Sequence, residues 1–102
     1  MDWQISTDKQ ILKALAERLK AYRIRKQYTQ KDLAEKSGVS LASIQKIEQG
    51  KSVSLHLLLS VLRSLKLLTN LEALVPDVSI SPIEMLKQQG TKKQRVRKKK
   101  KE

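Results

Sequence analysis

Cysteine is absent from the 102-residue sequence, and histidine occurs once, at His56. Without cysteine the chain can form neither a disulfide nor a thiolate metal site, and one histidine cannot build a histidine metal cluster. We therefore expect no metal and no other cofactor. The fold has to be held together by packing alone.

Long uncharged apolar runs are also missing. The most apolar stretch, residues 55–74, is interrupted by His56, Arg63, Lys66, Asn70 and Glu72. A membrane span needs about 20 predominantly apolar residues in succession. The first residues carry Asp2 and lack the basic-then-apolar pattern of a secretion signal. The sequence predicts a cytoplasmic, nucleoid-associated protein without a membrane partner.

Residue combinations that are typical of a catalytic site are missing as well. Catalysis requires a nucleophile beside a base, a pair of carboxylates in a cleft or a metal cluster, and the sequence offers none of these. With 39 % hydrophobic residues, a chain of this length can bury one modest core, which leaves little room for a deep cleft. The sequence predicts a binding protein and not an enzyme.

Positive charge is what the chain has in excess, with a net charge of +12. Residues 91–102 hold eight Lys/Arg against Glu102, which gives +7, and the remaining +5 belongs to residues 1–90. Both parts attract polyanions, because neutralising phosphates releases condensed counterions. For residues 91–102, an acidic protein partner and simple solubilising charge are the alternatives. Three aromatic residues leave few stacking platforms for single-stranded RNA, so duplex DNA is the preferred partner.

Hydroxyl caps and the three- and four-residue spacing of apolar side chains predict five helices and an all-α fold. Helix 2 is expected from Gln30 to Ser37, behind Thr29 and before Gly38, and helix 3 follows Ser40 and ends at Gly50. Helix 1 spans about residues 8–26 and is expected to turn five residues toward the core: Ile11, Leu15, Ala16, Leu19 and Tyr22.

Helix 4 begins at Ser52 or Ser54 and holds more leucine than one helix face of a small monomer can bury. Its predicted inner stripe is Leu55, Leu58, Leu59, Leu62 and Leu65, with Leu57, Val61, Leu67 and Leu68 partly outside. A fifth segment starts at Thr69 and stops before Pro76. Helices 4 and 5 together are therefore predicted to form a homodimer surface.

Helices 2 and 3 have the arrangement that fits a helix into the major groove of DNA: two short helices, a tight turn, and a small, polar outer face on the second helix. Residues 28–51 resemble the helix-turn-helix of the Cro/C1 phage-repressor family, also called the xenobiotic-response-element family. The resemblance extends over about residues 11–70 and implies a compact five-helix DNA-binding fold. Its motifs are Gln30, Leu33-Ala34, Gly38-Val39, Ser40 and the ending Ile44-x-x-Ile47-Glu48-x-Gly50.

The resemblance also implies roles for single residues. The positions that face base edges are Leu41, Ala42, Ser43 and Lys46. Lysine donates to guanine, Leu41 and Ala42 can pack on a thymine methyl, and serine can donate or accept. Position 41 is often polar in the family, so an apolar leucine there means fewer hydrogen bonds to bases.

Gln30 matches a glutamine that in the family binds a DNA phosphate and buttresses helix 3. Arg23 and Glu48 match a partly buried structural ion pair of the family. Other phosphate contacts are predicted at Thr29, Arg25, Lys51 and Ser40, where a solvated surface side chain is the alternative.

The sequence divides into a helix-turn-helix domain at residues 1–75, a connector with a short helix at residues 76–90, and a disordered basic tail at residues 91–102. Residues 76–90 and the basic run resemble the C-terminal extension of HipB-type antitoxins. That resemblance implies an autoregulating dimeric repressor that binds a near-palindromic operator and a HipA/HipT-type kinase toxin. The alternatives are a module that mainly sequesters a kinase-like toxin, and a stand-alone phage-type repressor.

Overall fold

The computed structural model describes residues 1–78, and all regular elements in this part of the chain are helical. They are α1 (Asp8–Arg25), α2 (Gln30–Ser37), α3 (Leu41–Glu48), α4 (Leu55–Ser64), a 3₁₀ turn (Leu68–Asn70) and α5 (Leu71–Leu74). The all-α fold with five helices is confirmed. A compact unit, Met1–Leu71, holds the first four helices. The short helix predicted after Ser81 and the tail at residues 91–102 lie outside the described residues.

A hydroxyl side chain begins each of the first four helices. The side-chain oxygens of Thr7, Thr29, Ser40 and Ser54 each accept a hydrogen bond from the backbone N–H three residues further on. Such a cap typically stabilises a helix by about 1 kcal/mol. Of the two serines that could begin α4, Ser54 is therefore the cap.

A left-handed residue follows each of these four helices. Gly38 and Gly50 have φ angles of 72° and 77°, as glycine allows without a steric cost. Gln27 and Lys66 adopt φ angles of 62° and 63° in the same role, although each carries a Cβ. Because the chain turns at Lys66, α4 ends at Ser64, and Leu67 lies beyond the helix and not on one of its faces.

The core forms where α2 packs against α3 and α4, while α1 covers α3. Its four most deeply buried side chains, Leu33, Ile44, Val61 and Leu65, are each 2 % exposed or less. Leu19, Ala34 and Ile47 complete the buried cluster. Each helix of the helix-turn-helix therefore contributes to one shared core, which fixes the angle between them.

On α1 the prediction of the buried face is partly wrong. The face that packs inward is shifted by about one residue along the sequence from the predicted one. Ala16 and Leu19 are buried as expected, but Leu15 and Tyr22 are 41 % and 39 % exposed. The inward position next to Tyr22 is taken by the charged residue Arg23, which is buried. Arginine is a charged residue, so a prediction from the spacing of apolar residues omits Arg23. It therefore assigned Tyr22, on the neighbouring face of α1, to the core.

On α4 the predicted inner stripe is also partly wrong. Val61, expected partly outside, is 1 % exposed, whereas Leu55, expected inside, is 69 % exposed. Leu58, Leu59 and Leu62 are half-buried, and Leu65 is fully buried as expected. Apolar residues lie on nearly every side of this helix, so its pattern cannot single out one face. The hydroxyl of Ser37 on α2 bonds to that of Ser64 at 3.1 Å and marks the side that packs inward.

Candidate nucleic-acid interface

One carboxylate joins three segments behind the outer face of α3. Arg23 on α1 donates from Nε to Glu48 Oε2 at 2.6 Å and from Nη2 to Oε1 at 3.1 Å. The amide of Gln30, at the start of α2, also donates to Glu48 Oε1, at 3.0 Å. Arg23 Nη1 donates to the backbone carbonyl of Tyr28 at 2.8 Å. The C-terminal end of α3 is thereby tied to α1 and to the first turn of α2.

The two side chains of this ion pair are nearly buried, with 10 % and 5 % of the Arg23 and Glu48 surfaces exposed. A bidentate arginine–carboxylate pair fixes direction as well as distance, and a buried charge requires such a partner. These contacts have the geometry expected of the Arg23–Glu48 pair and of Gln30 as a support for α3. Their effect is to hold α3 in one orientation relative to α1.

The turn between α2 and α3 is short, and two of its backbone N–H groups share one acceptor on α2. The backbone N–H groups of Gly38 and Val39 both donate to the carbonyl of Ala34, at 2.9 Å and 3.1 Å. Val39 is half-buried against the core, and Ser40 then caps α3. The turn sets the angle at which α3 leaves α2.

The outer face of α3 is exposed, while Ile44 and Ile47 fill the core beneath it. Among the predicted base contacts, Leu41 is 42 % exposed, and Ala42 and Lys46 are exposed as well. The small Ala42 side chain leaves room for another surface to approach the helix closely. Gln45 and Gln49 are also exposed, on α3 and at its end, and neither was predicted to contact a base.

Ser43, the fourth predicted base contact, has a different environment. Its side chain is half-buried, and its hydroxyl lies 2.8 Å from the hydroxyl of Ser40, the cap of α3. Its backbone N–H donates to the same Ser40 oxygen at 3.0 Å. The Ser43 hydroxyl therefore has a partner within the first turn of its own helix.

The residues predicted to touch phosphates lie at helix ends. Thr29 and Ser40 are the caps of α2 and α3, and each hydroxyl accepts the backbone N–H of the residue three positions further on. Lys51 is exposed directly after Gly50, and its backbone N–H bonds to the carbonyl of Lys46 at 3.0 Å. Arg25 is exposed near the end of α1, with its guanidinium 5.7 Å from the centre of the Tyr22 ring.

Asp32 has a role that the sequence analysis missed. Its carboxylate accepts the backbone N–H of Thr29 at 2.8 Å, while Thr29 Oγ1 accepts the N–H of Asp32 at 2.9 Å. The Thr29 backbone N–H and then the Thr29 hydroxyl stabilise the charged carboxylate and, with smaller contributions from Lys36 and Lys31, hold the pKa of Asp32 below its ordinary value of 3.8. The signal was available, since Thr-x-x-Asp is a variant of the capping-box pattern.

Other kinds of site find no support in residues 1–78. No group of three or more acidic or histidine side chains in this part of the chain is arranged to hold a metal ion. Nor is any of its helices both long enough and apolar enough to cross a bilayer. What the described surface offers is an exposed helix with uncharged and basic side chains on a rigid frame.

Comparison with protein families gives a result that agrees with this geometry. Residues 19–69, half of the chain, match the family model described as helix-turn-helix, which is of the Cro/C1 type. The matched residues include α2, the Gly38 turn, α3 and all of α4. No match was found among curated proteins. On its sequence motif, its fold and this match, the chain belongs to the helix-turn-helix family of DNA-binding transcription regulators.

Proposed function

We propose that this protein is a sequence-specific repressor that binds a near-palindromic operator as a homodimer. The observation that carries the proposal is the outer face of α3, where exposed Ala42 and Lys46 stand on a helix fixed from behind by Arg23 and Glu48. A helix held in this way can enter the major groove without losing further conformational freedom.

Base reading is assigned to Lys46, Ala42 and Leu41. Lys46 can donate to N7 and O6 of guanine, and the two apolar side chains can pack against thymine methyl groups. Ser43 stays a predicted contact, and to reach a base its hydroxyl has to turn away from Ser40. Each good base contact is typically worth about 1–3 kcal/mol of discrimination between base pairs.

Phosphate contacts would set the register of the protein on the duplex. Gln30 supports this role because its amide nitrogen carries two protons, of which one is used by Glu48. The other can donate to a phosphate oxygen. The hydroxyls of Thr29 and Ser40 can do the same once they turn away from Asp32 and Ser43. Lys51 and Arg25 add positive charge at either side of the motif, where it can neutralise phosphates.

Dimerisation is proposed through α4 and the segment that follows it. Leu55 is 69 % exposed at the start of α4, and Leu59, one turn later, is half-buried. A second copy that covers these leucines would remove apolar surface from water, at about 25 cal/mol per Å². In such a dimer the two α3 helices should lie about 34–36 Å apart to reach successive major grooves.

The narrower proposal is that the protein is the antitoxin of a toxin–antitoxin operon that it represses. This role is supported by the resemblance of residues 76–90 and the basic run to HipB-type extensions. The partner would be a HipA/HipT-type kinase toxin. A stand-alone phage-type repressor shares the same DNA-binding surface, and a gene for a kinase-like protein beside this one would favour the antitoxin.

Selection of bound duplexes from a random DNA pool tests the proposal, with the full chain at about 150 mM salt. A palindrome with two equal half-sites is expected, because a two-fold symmetric dimer presents the same α3 face twice. A single, non-repeated site would contradict the dimer. If no sequence is enriched, sequence-specific binding is contradicted, and non-specific coating of DNA becomes the interpretation.

Lys46→Ala tests the base-reading assignment within the same experiment. The variant should lose preference at one base pair in each half-site, and its affinity should fall about 5- to 150-fold for each half-site. Lys13→Ala, an exposed lysine on α1, is the matched control for the loss of one positive charge. If Lys46→Ala loses the same factor of affinity for the operator and for random duplex, Lys46 contacts a phosphate and does not read a base.

A further inference from the structure

The direction in which α3 faces outward follows from its two buried residues. Ile44 and Ile47 are 1 % and 6 % exposed, so the midpoint between them marks the direction of the core. Successive residues of an α-helix are rotated by about 100°. The outward direction, opposite this midpoint, can therefore be located to within a few tens of degrees.

Four exposed residues of α3 can be ranked against that direction. Ala42 lies within about 10° of it, while Gln45 and Lys46 each lie about 50° away, on opposite sides. Leu41 lies about 90° away, on the same side as Gln45. Ala42 is thus the centre of the outer face, and Gln45 and Lys46 flank it symmetrically.

Gln45 has no internal task in the described part of the chain. Its side chain is exposed and makes no hydrogen bond to residues 1–78, in contrast to Gln30, whose amide is bound to Glu48. Ser43, at about 110° from the outward direction, bonds to Ser40 instead. After its cap, α3 has two uncharged polar side chains, Ser43 and Gln45. Within residues 1–78, Gln45 is the one whose polar atoms make no hydrogen bond.

We infer that Gln45 reads an adenine, on the side of Ala42 opposite to the base read by Lys46. A glutamine amide presents a donor and an acceptor together, which matches N7 and the N6 amino group of adenine in the major groove. Leu41 lies one turn earlier on the same side, and its apolar side chain suits a neighbouring thymine methyl. Each half-site should therefore hold a guanine near Lys46 and an A·T-rich step near Gln45 and Leu41.

This inference rests on the proposed sequence-specific binding, and one experiment separates the two. Duplexes are selected from a random pool with the full chain and with the variants Gln45→Ala, Gln45→Lys and Gln4→Ala. Gln4 is an exposed glutamine before α1, so Gln4→Ala is the matched control for the loss of one amide. Thermal melting of each variant verifies that it is folded.

With Gln45→Ala, the preference for adenine at one position of each half-site should disappear, with affinity reduced roughly 5- to 150-fold for each half-site. With Gln45→Lys, the preferred base at that position should change to guanine, since lysine donates to N7 and O6. Gln4→Ala should select the wild-type operator.

If the wild-type protein selects an operator and both Gln45 variants select the same one, the assignment of Gln45 is overturned while the proposed function stands. If the wild-type protein selects no sequence, the proposed function fails and the assignment of Gln45 fails with it. A change of preference with Gln45→Lys cannot be attributed to unfolding, because an unfolded protein selects no new base.

Discussion

Arg23 is the charged residue on which the frame of α3 depends. Its guanidinium is nearly buried and donates to two different acceptors, the Glu48 carboxylate and the Tyr28 carbonyl. Burying such a pair gains little by itself, because both ions lose their hydration. Removing one partner is costly, since the other then remains buried without an opposite charge.

Arg23→Met should therefore destabilise the protein by about 3 kcal/mol in urea unfolding. The double variant Arg23→Met/Glu48→Leu should recover most of that loss, because neither charge then remains in the interior. If the single and the double variant are equally stable, water solvates the Glu48 carboxylate well enough in the absence of Arg23. Among variants that remain folded, the preferred operator should stay the same, since neither residue lies on the outer face of α3.

The lowered pKa of Asp32 makes part of the stability dependent on pH. The folded state favours the carboxylate, so its stabilisation is fully present above the ordinary pKa of 3.8 and is lost as the pH falls through the lowered pKa of the folded protein. Asp32→Asn should melt at a lower temperature than wild type at about pH 7. The difference should shrink below the ordinary value of 3.8.

Glu35→Gln provides the control for this experiment, because Glu35 is an exposed acid on the same helix. It removes the same charge without the capping-box bonds to Thr29. If the two variants show the same loss of melting temperature at every pH, net charge and not the cap explains the effect of Asp32.

At the scale of helices, the two left-handed residues with a Cβ offer a direct test. A left-handed conformation costs a residue with a Cβ about 1–2 kcal/mol of steric strain, which glycine avoids. Glycine in turn loses more backbone entropy on folding, and this loss offsets about half of the gain. Lys66→Gly should thus raise the free energy of unfolding by about 0.5–1 kcal/mol. Lys66→Ala, which removes the lysine side chain but keeps a Cβ, should give no such gain when both are measured by urea unfolding.

The same residues explain what the sequence could and could not predict about the helices. The ends of α2 and α3 were predicted because glycine occupies their left-handed positions, at Gly38 and Gly50. The end of α4 was missed because Lys66 takes that conformation with no sign in its residue type. Caps were easier to predict, since Thr29 and Ser40 have hydroxyls that bond within their own helices.

Inward faces were predicted well only where polar residues border them. On α3, Ile44 and Ile47 stand among small and polar residues, so the core face and the outer face are both correct. On α4 the leucines surround the helix, and the choice of Val61 over Leu55 depends on contacts with α2 that a local pattern does not contain. The environment of Ser43 was missed for a related reason, as its bond to Ser40 depends on side-chain geometry.

At the scale of the whole molecule, positive charge is divided between two parts of the chain. Residues 91–102 supply +7 of the net +12. The slope of log binding constant against log salt is about −0.9 for each phosphate that is neutralised. The difference in this slope between the full chain and residues 1–90 therefore counts how many of the tail's eight basic residues contact DNA.

Deletion of residues 91–102 should weaken binding to operator and to random duplex by a similar factor and make the salt slope shallower by several units. The selected sequence should stay the same, because lysine and arginine contacts to phosphates carry no sequence information. Titration of both duplexes at several salt concentrations measures the two slopes. An unchanged slope after the deletion would place the tail away from DNA and favour an acidic protein partner.

The position of Glu48 also shapes the electrostatic potential that approaching DNA meets. Glu48 is the one acidic residue of α3, and it points inward, where the guanidinium of Arg23 neutralises it. A carboxylate on the outer face would repel the phosphates on both sides of the major groove at the short range where docking occurs. Because Glu48 is turned inward, the exposed side of α3 carries Lys46 as its one formal charge, and long-range attraction to phosphates persists until contact.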